Sequence, residues 1–401
     1  MARTKTKKKK FELNNIPLVK EFVTVAKNND AAFLIVTAIL LSIGLLWVCS
    51  TTQIVSTKGD FLIFSSSKVR MQLIALAGGL IMMMIAATIN FDKTFRKFKI
   101  MVPVYVVTCI LLAITLKFKD QMGASRWISL GKINIQTAEF AKIVIIMFVA
   151  AYMDDRKKML DIIQNAFKAL YPFILSAPAL VLIAAEPDIG IPTLTFFGIC
   201  SMLYVAGVPI GNIVRVLFFS IPAFVLDSLR NVGHRLGRIQ SYVLSAFTDQ
   251  PVDILGDAYQ ISNSLIGICS GGILGRGFAH SHQKTHLLTQ HESDFVFAVY
   301  AEETGLVGSL ILMALFSVLV YYCYKITINT KDLYYRSLGM GLTFILAVQA
   351  FYSIAVNANF APVKGIALPF ISYGGSSLVS TLIIIGIMMN IAAHEEKNKR
   401  R

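Results

Sequence analysis

Long apolar runs repeat along this chain from residue 31 to residue 392, separated by polar stretches of which 229–295 is by far the longest. Each run holds about 20 residues, the length an α-helix needs to cross a hydrocarbon core of about 30 Å. The pattern predicts ten spans: 31–51, 69–89, 100–117, 138–153, 169–186, 190–208, 211–228, 296–324, 337–356 and 370–392. No stretch alternates apolar with polar residues, which argues against an outer-membrane barrel. The expected fold is an all-α polytopic membrane protein, with residues 31–392 forming a ten-helix transmembrane domain.

Composition agrees with this reading. The 401 residues are 55% hydrophobic and only 15% charged, whereas soluble domains are roughly a quarter charged. The five cysteines, Cys49, Cys109, Cys200, Cys269 and Cys323, are scattered and fit neither a disulfide framework nor a zinc ribbon. The net charge of +15 matters through its placement. Residues 1–30 form a basic tail, read as cytoplasmic and held near anionic lipid rather than near nucleic acid. The even-numbered connections carry Lys93, Arg96, Lys97 and Lys99, then Arg156, Lys157, Lys158 and Lys168, then Lys325, Lys331 and Arg336. Residues 393–401 are also basic. The positive-inside rule therefore places both termini in the cytoplasm. The odd-numbered connections then face outward, and the one between helices 7 and 8, residues 229–295, becomes a single large extracellular loop.

Several residues in this frame have candidate chemistry. Asp294 ends the large loop where polar sequence meets span 8. It suits either a contact with the helix N-terminus or a general base taking a proton from a sugar hydroxyl. Glu139 and Lys142 share one face of span 4, as a buried ion pair or as the lining of a polar cavity. Glu302 and Glu303 lie about two turns inside span 8, where at least one must face the interior. Trp127 reads as an interfacial anchor or, beside Arg126, as a surface for a sugar ring. Arg235 and Arg238 pair two guanidinium forks near the outer surface, and Lys364 lies just before span 10. These three cations suit an anionic phosphate ester. His280, His282, His286 and His291 lack a convincing metal-binding periodicity, and Glu186-Pro-Asp188 offers two ligands without a third. The glycine-rich stretch 267–277 lacks the Lys-Ser/Thr of a phosphate-binding loop and reads as a re-entrant or surface-hugging segment.

Five blocks taken together resemble the SEDS family (shape, elongation, division and sporulation), the FtsW/RodA polytopic glycosyltransferases of bacterial cell walls. They are residues 123–131 with Glu139 and Lys142; Glu186 to Gly190; Ala258-Tyr-Gln260; residues 271–277 followed by Gln283-Lys284 and 291–308; and residues 365–378. Thr137-Ala138 and the Thr289-to-Ser293 block depart from the usual family wording, while Asp294 keeps its place before Phe295 and the Ala301-Glu302-Glu303 run. Details around Gln283-Lys284 and Gly374-Gly-Ser-Ser377 lean toward the FtsW/SpoVE branch. The resemblance implies polymerisation of lipid II into β-1,4 glycan strands with release of undecaprenyl pyrophosphate. It implies Asp294 as the general base, with Trp127 in the substrate cavity and Glu139 and Lys142 as the polar pair below it. Arg235, Arg238 and Lys364 are candidates for the pyrophosphate by charge and side. The implied partners are lipid II, a single-pass class B penicillin-binding protein and other divisome or elongasome membrane proteins, with no nucleic acid. Mg²⁺ or Mn²⁺ would suit a pyrophosphate, but the sequence shows no clear ligand set for a metal. The implied location is the bacterial cytoplasmic membrane. A lipid II flippase and a non-catalytic scaffold for a transpeptidase are the competing readings.

Overall fold

A computed structural model describes residues 17–27, 29–52, 67–118, 126–130, 133–165, 167–186, 190–218, 257–284, 288, 290–362 and 364–399. Arg235 and Arg238, most of the large loop, residues 187–189 and His286 lie outside the described residues. The chain is mostly helical. In order it forms α1 (Pro17–Lys27), α2 (Ala31–Thr51), α3 (Ser67–Thr88), α4 (Phe91–Thr94), α5 (Phe98–Thr115), β1 (Ile128–Leu130), β2 (Ile133–Ile135), α6 (Thr137–Met153), α7 (Arg156–Gln164), α8 (Tyr171–Ala185), α9 (Gly190–Val205), α10 (Asp257–Ser270), α11 (Val296–Asn329), α12 (Leu333–Asn357) and α13 (Gly375–Lys399). Residues 210–218 are also helical.

Seven helices among the described residues are long and apolar enough to cross a membrane: α2, α3, α5, Lys168–Ala185 (a 3₁₀ turn leading into α8), α11, α12 and α13. The chain is a multi-pass membrane protein. Two further predicted spans coincide with shorter helices, α6 and α9.

The two ends of the bundle are built differently. At one end a single guanidinium ties three connections together. Arg96 binds Asp154 in a fork (Nε–Oδ2 2.8 Å, Nη2–Oδ1 2.9 Å) and its Nη1 reaches Asp92 (3.0 Å) and Asp332 (2.8 Å). The hydrogen bond to Asp154, with help from the other two carboxylates, raises the Arg96 pKa further above its usual range. Asp332 also caps α12 by accepting from Tyr334 N. The predicted even-numbered connections 2, 4 and 8 thus meet at one end.

Within the bundle, α6, α12 and α13 form the interior. Ile145, Ile146, Leu342, Ile345, Ile385 and Met388 are buried there, while α3 and α5 turn many apolar side chains outward. α13 lies directly on α3. A methyl group at Gly386 would collide with the Met83 carbonyl, so the small residue is what lets the two backbones approach.

Two features differ from the sequence expectation. The tail assigned to residues 1–30 is not uniformly polar: α1 packs Phe22, Val25 and Ala26 against the core, and Asn29 Nδ2 donates to Met389 O at 3.2 Å. The third connection contains an antiparallel hairpin, which the sequence reading did not assign, pairing Ile128 with Ile135, Ser129 with Asn134 and Leu130 with Ile133. The hairpin strands, three residues each, are too short for an alternating pattern to reveal.

α11 is broken at Gly305 (φ 68°, ψ −166°), a conformation essentially restricted to glycine. The glycine-rich stretch makes good the lost helical bonds. Arg276 N and Gly277 N donate to the carbonyls of Glu302 and Glu303 (both 3.0 Å), while Leu306 N and Val307 N donate to Gly272 O and Ile273 O (2.9 and 3.2 Å). Gly271 and Gly275 lie so close to the α11 backbone that a side chain at either would strike it. Both glutamates beside the break are buried. Glu302 accepts from Ser281 Oγ (2.5 Å), His282 N (3.1 Å) and Gln283 N (3.2 Å). Glu303 accepts from Ser50 Oγ (2.6 Å) and meets Lys284 Nζ at 3.4 Å. This satisfies the requirement that buried carboxylates find donors.

Candidate active site at the Asp294 turn

Asp294 lies in a tight turn that leads into α11. The turn winds around one carbonyl: Ser293 N, Asp294 N and Phe295 N all approach Gln290 O at 3.1–3.3 Å. Gln290 itself is left-handed (φ 65°), a conformation that costs a non-glycine residue roughly 1–2 kcal/mol. Phe295 anchors the turn from below, buried with Leu288 and Ala298.

The three successive carbonyls of residues 292–294 are held from elsewhere. Tyr373 N donates to Glu292 O (2.8 Å), Ser372 Oγ to Ser293 O (2.6 Å) and Asn357 Nδ2 to Asp294 O (2.9 Å). Ser372 Oγ in turn accepts from Leu368 N at 2.8 Å, which closes the 368–372 segment on itself. Phe370 in that segment is also left-handed (φ 65°), and its carbonyl lies against Gly44 of α2, where no side chain fits. Lys68, near the start of α3, pairs with Glu292 at 2.7 Å, and His291 Nε2 lies 3.6 Å from the same carboxylate.

The Asp294 carboxylate is partly buried and lies over Gly365. A methyl group built at Gly365 would come 3.0 Å from Asp294 Oδ2. Lys364, the neighbouring residue, therefore enters the chain beside this carboxylate. The residue before α11, Phe295, makes no side-chain cap bond.

The Glu139–Lys142 pair connects to the same segment. Lys142 is wholly buried, with Nζ 2.5 Å from Glu139 Oε2 and 2.9 Å from Gln349 Oε1. Ser380 Oγ donates to Glu139 Oε2 (2.7 Å), and Gln349 Nε2 donates to Ala367 O (3.1 Å). The pair thus supports residues 365–372 from beneath. Arg126 Nε donates to Glu186 O (3.1 Å), and Trp127, partly buried, precedes β1. Gln136 N, just after the hairpin, donates to Ser376 Oγ (2.9 Å) at the start of α13. The structure therefore brings Trp127, Arg126, Lys364 and the Glu139–Lys142 pair to the Asp294 end of the bundle. Among the described residues no group of three or more His, Cys, Asp or Glu is placed to hold a metal.

Sequence reasoning missed Asn357, Gln349 and Ser372. The available signal was a polar amide near the end of one apolar run and another within it. Neither changes the pattern enough to be noticed alone.

The sequence model of the family described as a cell cycle protein, FtsW/RodA/SpoVE, matches residues 30–397. The chain belongs to that family. The SEDS blocks therefore belong to a known family scaffold. Stage V sporulation protein E of Bacillus subtilis is 30% identical over 91% of this chain and 97% of its own length. The probable peptidoglycan glycosyltransferase FtsW of Coxiella burnetii is 32% identical over 93% of this chain and 98% of its own. In fold, the chain is similar to one in a solved peptidoglycan synthase complex that coordinates polymerization and crosslinking (TM-score 0.72, 23% identity, 92% of this chain and 98% of that one). It is also similar to the rod shape determining protein RodA of Thermus thermophilus (TM-score 0.64, 22% identity, 91% and 96%).

Proposed function

We propose that this chain is a peptidoglycan glycosyltransferase that polymerises lipid II, with Asp294 as the general base. Asp294 takes the proton from the acceptor's GlcNAc 4-hydroxyl. The resulting oxygen attacks the anomeric carbon of MurNAc on the donor, the bond from that carbon to undecaprenyl pyrophosphate breaks, and a β-1,4 link forms. The observation that carries this reading is the placement of Asp294: a partly buried carboxylate over Gly365, on a turn whose three successive carbonyls are tied down. A base fixed in this way pays little reorganisation when the hydroxyl arrives.

The Asp294 end faces outward and the Arg96 end faces the cytoplasm, with ten spans and both termini inside, in the bacterial cytoplasmic membrane. The basic even-numbered connections support this orientation. Trp127 and Arg126 contact the sugar, while Lys364, Arg235 and Arg238 receive the pyrophosphate charge. Glu139 and Lys142 act through the 365–372 segment. A single-pass class B penicillin-binding protein is the partner, in keeping with the neighbour solved in a synthase complex. The mostly apolar packing of α6, α12 and α13 away from the Asp294 end supports polymerisation over transport.

The test is conversion of labelled lipid II into polymer by the purified protein, alone and with its transpeptidase. Asp294→Ala is expected to lower the rate by about 10²–10⁴-fold. Polymer formation at the wild-type rate by that variant would remove Asp294 from the mechanism.

A further inference from the structure

Asn357, the last residue of α12, is fully buried. Its side chain uses three of its four hydrogen-bonding positions. Nδ2 donates to Asp294 O and to Ser353 O, both at 2.9 Å, and Oδ1 accepts from Ala298 N at 3.0 Å. Only this orientation of the amide fits, because two carbonyls face the nitrogen and one N–H faces the oxygen. Its main-chain carbonyl accepts from Ser264 Oγ at 2.8 Å, which locks the residue to α10 as well.

Ala298 is the third residue of α11, and its N–H is one of those a helix start leaves without an α-helical partner. Its other bond is a three-residue contact to Phe295 O at 3.1 Å. An aspartate just before a helix is ordinarily drawn to such N–H groups, because its carboxylate is a good cap. For the N–H of Ala298 the cap comes from α12, a different part of the chain. One amide therefore fixes the backbone on both sides of the catalytic carboxylate, at the carbonyl of residue 294 and the N–H of residue 298.

We propose that Asn357 is a positioning residue for Asp294: it caps α11 and clamps the Asp294 carbonyl, so that the carboxylate is held out over Gly365 for proton transfer. The proposal rests on the reading of Asp294 as the base.

Full-length protein carrying Asn357→Ala or Asn357→Asp is assayed with labelled lipid II, and rates are expressed per folded molecule. The aspartate variant keeps an acceptor for Ala298 but loses the amide donor to Asp294. Both are expected to lower kcat by about 10- to 100-fold with little change in KM, because a displaced base loses rate rather than binding. The decisive comparison repeats Asn357→Ala in an Asp294→Glu background, where the carboxylate is already displaced. There the second substitution should cost less than about two-fold, since groups acting through one another are not additive. An equal cost in both backgrounds, an unchanged kcat, or failure of both Asn357 variants to fold would overturn the proposal and leave Asn357 a purely structural residue. Asp294→Ala that still polymerises would instead remove the base on which the proposal rests.

Discussion

At the scale of single residues, the site depends on what is absent at Gly365. Its missing side chain leaves room for the Asp294 carboxylate, and the added methyl of Gly365→Ala would press on Oδ2 from 3.0 Å. The backbone there is exposed and the substitution is small, so the fold should survive while the carboxylate shifts. We expect polymerisation to fall by about ten-fold or more with the melting temperature in detergent nearly unchanged; an unaffected rate would show that the carboxylate has slack. Asp294 and Lys364 were recognisable in the sequence because a charge beside an apolar run is costly and stands out. Gly365 was not, because its role is defined only by a neighbour 71 positions away in the chain, a separation that local patterns do not report.

At the scale of elements, the helices were legible and their interruptions were not. The apolar runs gave the positions of α2, α3, α5 and α12 to within a few residues, since each must satisfy its own backbone across the membrane, whereas α13 (Gly375–Lys399) starts and ends later than the 370–392 read from the sequence. Span 8 reads as one uniform run, yet α11 is broken at Gly305 and rebuilt by bonds to residues 272–277. Its glycines announced an irregular segment but not the helix it repairs. Gly305→Ala forces an alanine into a glycine-only conformation and a methyl into the Gly275 and Ile273 backbone. We expect a loss of about 2–3 kcal/mol or more, together with faster tryptic cleavage after Arg276, whose main-chain N–H now bonds to Glu302 O. Unchanged cleavage at Arg276 would mean that the segment holds its place without the break.

At the scale of the whole molecule, the two ends divide the work. Arg96 gathers three carboxylates at one end, while the other end holds the proposed base. Arg96→Lys leaves a point charge where a planar fork served three partners. It should cost about 1–3 kcal/mol, seen as a lower melting temperature, while kcat per folded molecule stays unchanged; a fall in kcat would show that the two ends communicate. The clamp on the Asp294 turn also has a consequence for biosynthesis. Its three donors belong to residues 357, 372 and 373, so a ribosome that has just finished α11 has made the carboxylate but none of these three donors. The turn closes only after α12 and the segment that follows it have left the ribosome. Assembly order thus leaves the proposed base without its clamp until the scaffold around it is nearly complete.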